Sequence, residues 1–397
     1  MNVFKPCDIL LPKPHIDMTK WAAIACDQHS SDGAYWKAAE EIAQNVPSTL
    51  HMVLPEYYLS GDTEARQNAI DKTMRDYLDS SLFDLYPEAY LYIERTQADG
   101  RVRKGILGAV DLEAYDFKKG AKTPVRASEE TVVERIPPRV RIRERAALEM
   151  PHVMLLINDK LMRVIGPLAA RVDRFTLLYD FDLMLGGGHI KGYLVDQDTK
   201  SDIDSALQSL QDAEPFLFAV GDGNHSLATA KTCYEKAPSP ITRYAMCEIV
   251  NIHDSALSFE PIYRVLFGTK PEEVIAYLKS ACPVREGAPT HTLTCCYGKT
   301  QDELVLGAAS TLAVTDLQIA LDRYLKEHPE VSIDYIHGKD ETIALSQKPA
   351  AVGFLFEGMK KEELFPAVEA DGALVRKTFS MGEACDKRYY IECRKIT

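Results

Sequence analysis

Residues 216–233 read FLFAVGDGNHSLATAKTC and predict a buried strand, a tight turn and a helix. The first five residues, 216–220, form an apolar run with the length and bulk of a buried strand. Gly221 and Gly223 then break the run, and the residues that follow Ser226 are good helix formers. A helix that begins at the end of a buried strand presents free backbone N–H groups there. Such groups attract anions, and phosphate above all.

The turn carries four polar side chains that can reach a ligand, namely Asp222, Asn224, His225 and Ser226. Two interpretations are open. In the first, the turn holds phosphate oxygens and His225 donates a hydrogen bond to them. In the second, Asn224 or Ser226 merely caps the helix and the glycines merely turn the chain. A carboxylate, an amide, an imidazole and a hydroxyl within five residues favour the phosphate site.

Length and composition predict a multidomain globular protein. A chain of 397 residues is too long for one ordinary core. Shifts in composition divide it into residues 1–120, 121–268 and 269–397. Because no apolar run approaches the roughly 20 residues needed to cross a bilayer, we expect no membrane partner. The first residues lack the apolar core of a signal peptide, so we expect a cytoplasmic protein.

Charge and cysteine usage argue against several classes of function. The net charge of −13 repels nucleic acid, so no nucleic-acid partner is expected. The nine cysteines are scattered and form no C-x-x-C pair, which argues against a metal site or a disulfide framework. No G-x-S-x-G motif is present, and Cys26 has no histidine partner evident in the sequence, so a hydrolase is disfavoured.

The densest basic cluster of the chain lies in residues 125–152. Glutamates are mixed with its arginines, and such a run is usually a solvated, salt-bridged segment. Pro137 and Pro138 should stop any helix here, so the arginines should not form one face of a long helix. Because arginine grips phosphate bidentately, Arg139 is a candidate phosphate ligand.

Strands and helices alternate along much of the chain, which predicts an α+β (mixed α/β) fold with mixed sheets flanked by helices. Further motifs support a resemblance: Glu129-x-Thr131, residues 222–226 (DGNHS), residues 261–264 (PIYR), and the longer segments WAAIACDQ, IRERAALEMPHVMLLI, LYDFDLMLGGGHIKGYLV and KTFSMGEACDKRYY. On these motifs the chain resembles, over nearly its whole length, the bacterial domain-of-unknown-function family numbered 1015, sometimes labelled Spo0J/ParB-like.

The resemblance implies a ParB/sulfiredoxin-like central part with additional N- and C-terminal α+β parts. In that fold a glycine- and histidine-containing turn binds nucleotide phosphates. Free-serine kinases of the same fold carry a comparable aspartate-glycine-histidine turn with a glutamate as catalytic base. Carried over, residues 222–225 match the turn and Glu129 matches the glutamate. Ser226 stands where that motif usually has arginine, and Ser128 stands where the wider family has histidine.

The leading hypothesis is a small-molecule phosphotransferase, such as a kinase of a hydroxyl amino acid. Glu129 would take the proton from a substrate hydroxyl, Asp222 would carry Mg²⁺ or share the base role, and His225 would contact phosphate. ADP or ATP with Mg²⁺ would be the cofactor. The predicted ligands of the nucleotide are Gly221, Gly223, Asn224, Ser226, Arg139, Arg264 and Lys377.

Two alternatives remain open, namely a non-catalytic ParB-like nucleotide-binding or switch protein and a purely structural protein. The site hypotheses require that Glu129, Asp222, His225 and Arg264 converge on one cleft. They also require that the helix after the turn point its N-terminus into that cleft. The sequence leaves the substrate and the oligomeric state open.

Overall fold

The computed structural model describes residues 2–59, 63–133, 136–150 and 152–397. The helices, in chain order, are α1 (Met18–Trp21), α2 (Gly33–Ala43), α3 (Thr63–Asp79), α4 (Ile136–Arg143), α5 (Gln197–Ala213), α6 (Asn224–Lys236), α7 (Pro271–Ala281), α8 (Ala313–Glu327), α9 (Lys339–Ser346) and α10 (Leu364–Asp371). The strands, in chain order, are β1 (Phe4–Lys5), β2 (Cys7–Pro12), β3 (Ala23–Ile24), β4 (Phe83–Ala89), β5 (Leu91–Thr96), β6 (Val102–Asp111), β7 (Tyr115–Asp116), β8 (Val125–Ala127), β9 (Leu148–Glu149), β10 (Met154–Ile157), β11 (Thr176–Asp182), β12 (His189–Leu194), β13 (Phe218–Asp222), β14 (Tyr244–Asn251), β15 (Phe259–Phe267), β16 (Thr290–Tyr297), β17 (Thr300–Gly307), β18 (Ser332–His337), β19 (Ala351–Leu355), β20 (Phe379–Met381), β21 (Tyr389–Tyr390) and β22 (Arg394–Lys395).

Most of these strands belong to two sheets, a larger mixed sheet and a smaller antiparallel sheet. Within the described residues, the larger sheet has ten strands in the order β11-β12-β5-β6-β14-β10-β13-β8-β7, with β1 paired to β6. It is mixed, because β10 runs parallel to β14 and β8 runs parallel to β13, whereas β10 and β13 are antiparallel. The second sheet has the order β17-β16-β19-β15-β18, with β20 paired to β15. The predicted α+β fold, with a large mixed sheet flanked by helices, is confirmed, but its ParB/sulfiredoxin-like specification is not.

The main sheet takes strands from both sides of residue 120, since β1, β5, β6 and β7 precede that position and β8 follows it. The last two strands of the chain pair with much earlier segments: β21 pairs with β3, and β22 pairs with β9. The division into residues 1–120, 121–268 and 269–397 stays a prediction.

Strand β13 lies inside the main sheet and is apolar on both of its faces. Phe218 and Val220 pack into one hydrophobic cluster, which α5 and α6 cover, and Ala219 packs into a second cluster on the opposite face. Side chains of a strand alternate between its two faces, so burial of both faces requires the continuous apolar run seen in the sequence. A buried strand followed by a turn and a helix is therefore confirmed, although the strand ends two residues later and the helix begins two residues earlier than predicted.

The expectation that Pro137 and Pro138 would stop a helix is wrong, because both lie in the first turn of α4. Proline is tolerated there, since the N–H group that it lacks would have no partner within the helix.

None of the helices within the described ranges combines the length and the apolar character needed to cross a membrane. The nine cysteines all lie in these ranges and are free thiols.

Candidate functional site

A polar cleft of about 740 Å³ lies at the end of β13, where α6 begins. All of the predicted site residues except Arg264 line it, namely Glu129, Arg139, Gly221, Asp222, Gly223, Asn224, His225, Ser226 and Lys377. The structure therefore brings together side chains from widely separated parts of the sequence.

Sheet topology explains why these residues meet. Strands β8 and β13 are parallel neighbours, so their carboxyl ends lie at the same edge of the sheet. Glu129 follows β8, and the turn at Asp222 ends β13. The hydroxyl of Ser128 donates to the carbonyl of Val220 and ties the two segments together. The antiparallel strand β10 begins at this edge and places His152 there, just before its first residue.

The N-terminus of α6 opens into the cleft without a side-chain cap. Its N-cap is Gly223, which has a φ of 80° and no side chain to accept a hydrogen bond. The first backbone hydrogen bond of the helix runs from Leu227 N–H to Gly223 O at 3.0 Å, which leaves the N–H groups of Asn224 and Ser226 without a partner inside the helix. The interpretation in which Asn224 or Ser226 merely caps this helix is therefore wrong.

The side chain of Asn224 also leaves a hydrogen-bonding group available to a ligand. The Oδ1 atom of Asn224 is buried and has no hydrogen-bond partner among the described residues. Only glycine fits at position 223, because a Cβ there would lie 2.9 Å from Val153 Cγ2. Buried polar atoms nearly always find a partner, so this end of the cleft is suited to a polar ligand.

Asp222 is held by a buried lysine that the sequence did not single out. Its Oδ2 lies 3.3 Å from Lys387 Nζ, and its Oδ1 accepts the Gly223 N–H at 2.9 Å. Only 8% of Lys387 is exposed. This lysine therefore brings a poorly hydrated positive charge to the start of α6, where a phosphate group would need one.

Glu129 anchors a loop that forms another wall of the cleft. Its Oε1 accepts the N–H groups of Thr378 at 2.9 Å and Phe379 at 3.4 Å, and its Oε2 accepts that of Lys377 at 3.1 Å. Burial raises the pKa of this carboxyl above its ordinary value of 4.5, although the backbone N–H groups and the Lys377 charge oppose the rise. The carboxylate is thus a stronger proton acceptor than an exposed glutamate.

Arg264 does not line the cleft, and this corrects its predicted place at the site. The residue is fully buried in the middle of β15, between β18 and β19. Its guanidinium donates to Lys377 O at 2.8 Å, Arg376 O at 3.0 Å and Gln318 Oε1 at 2.8 Å. Burial lowers its pKa to about 10, so it is still charged at neutral pH. Arg264 therefore holds the Arg376–Lys377 loop from behind, and the loop presents Lys377 to the cleft.

Arg139 lines the cleft and is paired with Glu56, which also lines it. The pair agrees with the salt-bridged interpretation of the basic cluster, and the role of Arg139 toward phosphate stays a prediction.

Lys377 has a φ of 58°, a conformation that costs a non-glycine residue free energy. The contacts of Glu129 and Arg264 with the neighbouring peptide groups hold this loop in place.

The sequence interpretation missed a second polar cluster on the cleft wall. The Tyr390 hydroxyl lies 2.8 Å from His152 Nδ1 and 3.1 Å from Cys26 Sγ. On the other side of the ring, His152 Nε2 lies 3.2 Å from Ser226 Oγ and 3.7 Å from Asp27 Oδ2. The signal available in the sequence was the pair of segments WAAIACDQ and KTFSMGEACDKRYY, which place polar residues next to apolar runs.

The protonation states of this cluster do not favour a cysteine nucleophile. Burial raises the pKa of Cys26 to about 11, so the group is a thiol at neutral pH. Burial also acts to raise the pKa of Asp27, but His152, Gln28 and Lys387 outweigh it and lower that pKa below 3.8. Asp27 is therefore a carboxylate at neutral pH.

The residues of the cleft do not form a ready metal site. Within the part of the chain that the structure describes, no group of three or more His, Cys, Asp or Glu side chains is arranged to hold a metal ion. Both oxygens of Asp222 and both oxygens of Glu129 already have partners in the protein. The role of Asp222 as a Mg²⁺ ligand stays a prediction.

The family described as "Protein of unknown function (DUF1015)" matches residues 6–330. The chain belongs to this family. A comparison with curated proteins finds no match. The family match gives no support to the predicted ParB-like resemblance.

Solved structures resemble this member of the family only distantly. A free serine kinase variant in complex with ADP has 12% identity and a TM-score of 0.42, over 73% of this chain and 92% of its own. A conserved hypothetical protein from Pyrococcus furiosus has 12% identity and a TM-score of 0.39, over 73% and 94% of the two chains. C-terminally truncated SbnI from Staphylococcus aureus has 11% identity and a TM-score of 0.38, over 70% and 82%. Likenesses this distant say nothing about the function of the chain.

Proposed function

We propose that this protein transfers a phosphoryl group from ADP or ATP to the hydroxyl group of a small molecule bound in the polar cleft. One observation carries the proposal. The N-terminus of α6, which lacks a side-chain cap, opens into the same cleft as the carboxylate of Glu129, whose pKa is raised. The first feature suits a phosphate group and the second suits a hydroxyl group that must lose its proton.

The start of α6 would bind the transferred phosphate. Backbone N–H groups at a helix N-terminus donate to phosphate oxygens, and the helix dipole adds a partial positive charge. Lys377 and Lys387 also line the cleft and would neutralise the charge that develops, whereas Arg376 is paired with Asp322. Phosphoryl transfer depends mainly on positioning and on charge neutralisation, so this set of groups fits the reaction.

His225 lines the cleft in the first turn of α6. Its Nε2 accepts a hydrogen bond from the backbone N–H of Val132 at 3.2 Å, which holds the imidazole at the cleft wall. In the proposed function this side chain contacts the phosphate group.

Glu129 would act as the general base. Its Oε2 accepts one hydrogen bond, from Lys377 N–H, and a carboxylate oxygen can accept two. The remaining lone pair would accept the proton of the substrate hydroxyl. A raised pKa makes this carboxylate a stronger base than an exposed glutamate.

A second candidate function is nucleotide binding without catalysis. The specific observation in its favour is that Glu129 accepts backbone N–H groups with both oxygens, as a purely structural loop anchor would. In that case the cleft would bind a nucleotide and the loop of residues 376–379 would respond to it.

The two functions are separated by testing nucleotide binding and turnover in the same variants. Calorimetry would measure the binding of ATP, ADP and inorganic phosphate, and a phosphotransfer assay would scan hydroxyl amino acids and sugars. Glu129→Gln should leave nucleotide affinity nearly unchanged and lower kcat by roughly 100- to 10,000-fold, the usual loss for a general base. Glu130→Gln is the matched control, because Glu130 pairs with Lys119 on the surface.

A pH profile would distinguish a lost base from a loosened loop. If Glu129 is the base, the acid limb of the wild-type kcat profile should lie above pH 4.5 and should be absent from any residual activity of Glu129→Gln. His225→Ala should weaken phosphate binding by about 1.5–3 kcal/mol. A wild-type protein that binds no phosphate-bearing ligand would end the proposal. Binding without transfer, unchanged by Glu129→Gln, would support the non-catalytic alternative.

A further inference from the structure

A second pocket of about 180 Å³ adjoins the polar cleft. Its lining is mainly apolar and includes four of the eleven methionines of the chain, Met52, Met74, Met150 and Met246. Methionine is flexible and polarisable, so a methionine-rich lining adapts to apolar groups of different shape.

The pocket and the cleft share one wall. Five residues line both of them, namely Cys26, Glu56, Arg139, His152 and Ser226. Ser226 lies in the first turn of α6, at the proposed phosphate site. A small molecule with its hydroxyl group in the cleft could therefore extend past this wall into the pocket.

The charged groups around the pocket are paired with one another. Glu149 is paired with Arg143 and with Arg394, and Arg139 is paired with Glu56. Because these charges are satisfied within the protein, the surface offered to a ligand inside the pocket is mainly that of its apolar side chains, with His152 and Ser226 at the wall shared with the cleft.

We infer that this pocket binds the apolar tail of the substrate whose hydroxyl group is phosphorylated in the cleft. The inference rests on the proposed function and gives it a substrate class, which is a hydroxyl compound with an apolar tail. An apolar cavity of about 150 Å³ is known to bind benzene, so a pocket of this size fits a tail of about four to six carbons. A purine base fits less well, because its several ring nitrogens need polar partners and most of the lining is apolar.

The test uses straight-chain primary alcohols, from ethanol to 1-octanol, as probes with one hydroxyl group and a variable tail. Ligand-observed NMR would give their dissociation constants with the full chain. Affinity should rise about fourfold for each added methylene, the value expected for burying one CH₂ group, and should level off near 1-hexanol.

Two variants change the pocket in opposite directions. Met74→Ala enlarges it and should move the preferred alcohol to a longer tail. Met184→Ala is the matched control. Met184 lies in the same core cluster as Met74 and is equally buried, with exposed fractions of 2% and 4%, but Met184 lines neither cavity. Ala146→Leu fills the pocket and should abolish the gain with tail length. If Ala146→Leu does not fold, the comparison of Met74→Ala with Met184→Ala still shows whether the pocket binds the alcohol tail.

Three results would overturn the inference: alcohol affinity that does not depend on tail length, equal profiles for Met74→Ala and Met184→Ala, or adenosine binding that Ala146→Leu abolishes. Phosphate titrations of the same proteins separate this inference from the proposed function. Phosphate binding without any effect of tail length would remove the inference alone. Alcohol binding that depends on tail length, without phosphate binding, would support the apolar subsite and refute the proposed phosphotransferase function.

Discussion

Replacement of Arg264 by methionine should destabilise the protein and also weaken its phosphate site. The guanidinium donates to four oxygens: its bonds to Ile262 and Gln318 are buried, and its bonds to Arg376 and Lys377 are partly buried. Methionine is of similar length but has no donor. Leaving buried acceptors unpaired costs about 1–3 kcal/mol each, and the removal of a buried charge offsets part of the sum. We therefore expect the free energy of unfolding to fall by about 3–5 kcal/mol.

Urea unfolding would measure the loss, with calorimetry of phosphate binding on the same samples under conditions in which the variant is folded. Arg101→Met is the control, because the Arg101 side chain is 45% exposed and pairs with Asp99, so its loss should cost no more than about 1 kcal/mol. Phosphate affinity should fall in Arg264→Met, because the Lys377 loop loses its support, and should be unchanged in Arg101→Met. If both variants lose the same small amount of stability, the assigned role of Arg264 is refuted.

Three further predictions concern the cleft itself. Gly223→Ala should destabilise the fold by more than the roughly 1–2 kcal/mol that a positive φ costs, because the new Cβ would also contact Val153; Gly100→Ala, with a φ of 84° and open space around it, measures the backbone cost alone. Lys387→Met should weaken phosphate binding in calorimetry by about 1.5–3 kcal/mol, since a buried charge near Asp222 is lost, and an unchanged affinity would place phosphate elsewhere. Asp27→Asn should destabilise the protein at pH 7, and its difference from wild type in denaturant unfolding should shrink as the pH falls below 3.8. The folded state lowers the pKa of Asp27, so the stabilisation is complete well above 3.8 and is lost as the pH falls through the lower pKa of the folded state. A difference that does not shrink below pH 3.8 would contradict this.

The local sequence was sufficient to predict the central strand, the turn and the helix. A continuous apolar run followed by Gly221 and Gly223 has few structural solutions, because a strand buried on both faces must be apolar throughout and the left-handed residue after it must be glycine. The same local pattern predicted a turn over Asp222 to Ser226; in the structure Asp222 ends the strand, Gly223 makes the turn and the other three residues begin the helix. Pro137 and Pro138 were misjudged because their effect depends on where in a helix they fall, and the helix start was not visible in the sequence.

The polar character of the site residues could be predicted from sequence, but their neighbours could not. Glu129 meets the turn because β8 and β13 are parallel neighbours, and that pairing joins segments about 90 residues apart in a way that no local pattern specifies. Arg264 looked like a ligand because arginine suits phosphate, yet its place in a central strand of the second sheet made it a buried support.

The sequence by itself determined the strand, the tight turn and the helix start, because backbone geometry and burial constrain neighbouring residues directly. Only the tertiary structure decided which distant groups face that helix start. Lys387 and Tyr390 reach it because the last strands pair with β3 and β9, and His152 reaches it because β10 begins at the same edge of the sheet. Electrostatic and hydrogen-bonding partners are set by distance in space, and long-range strand pairing fixes that distance for residues far apart in the chain.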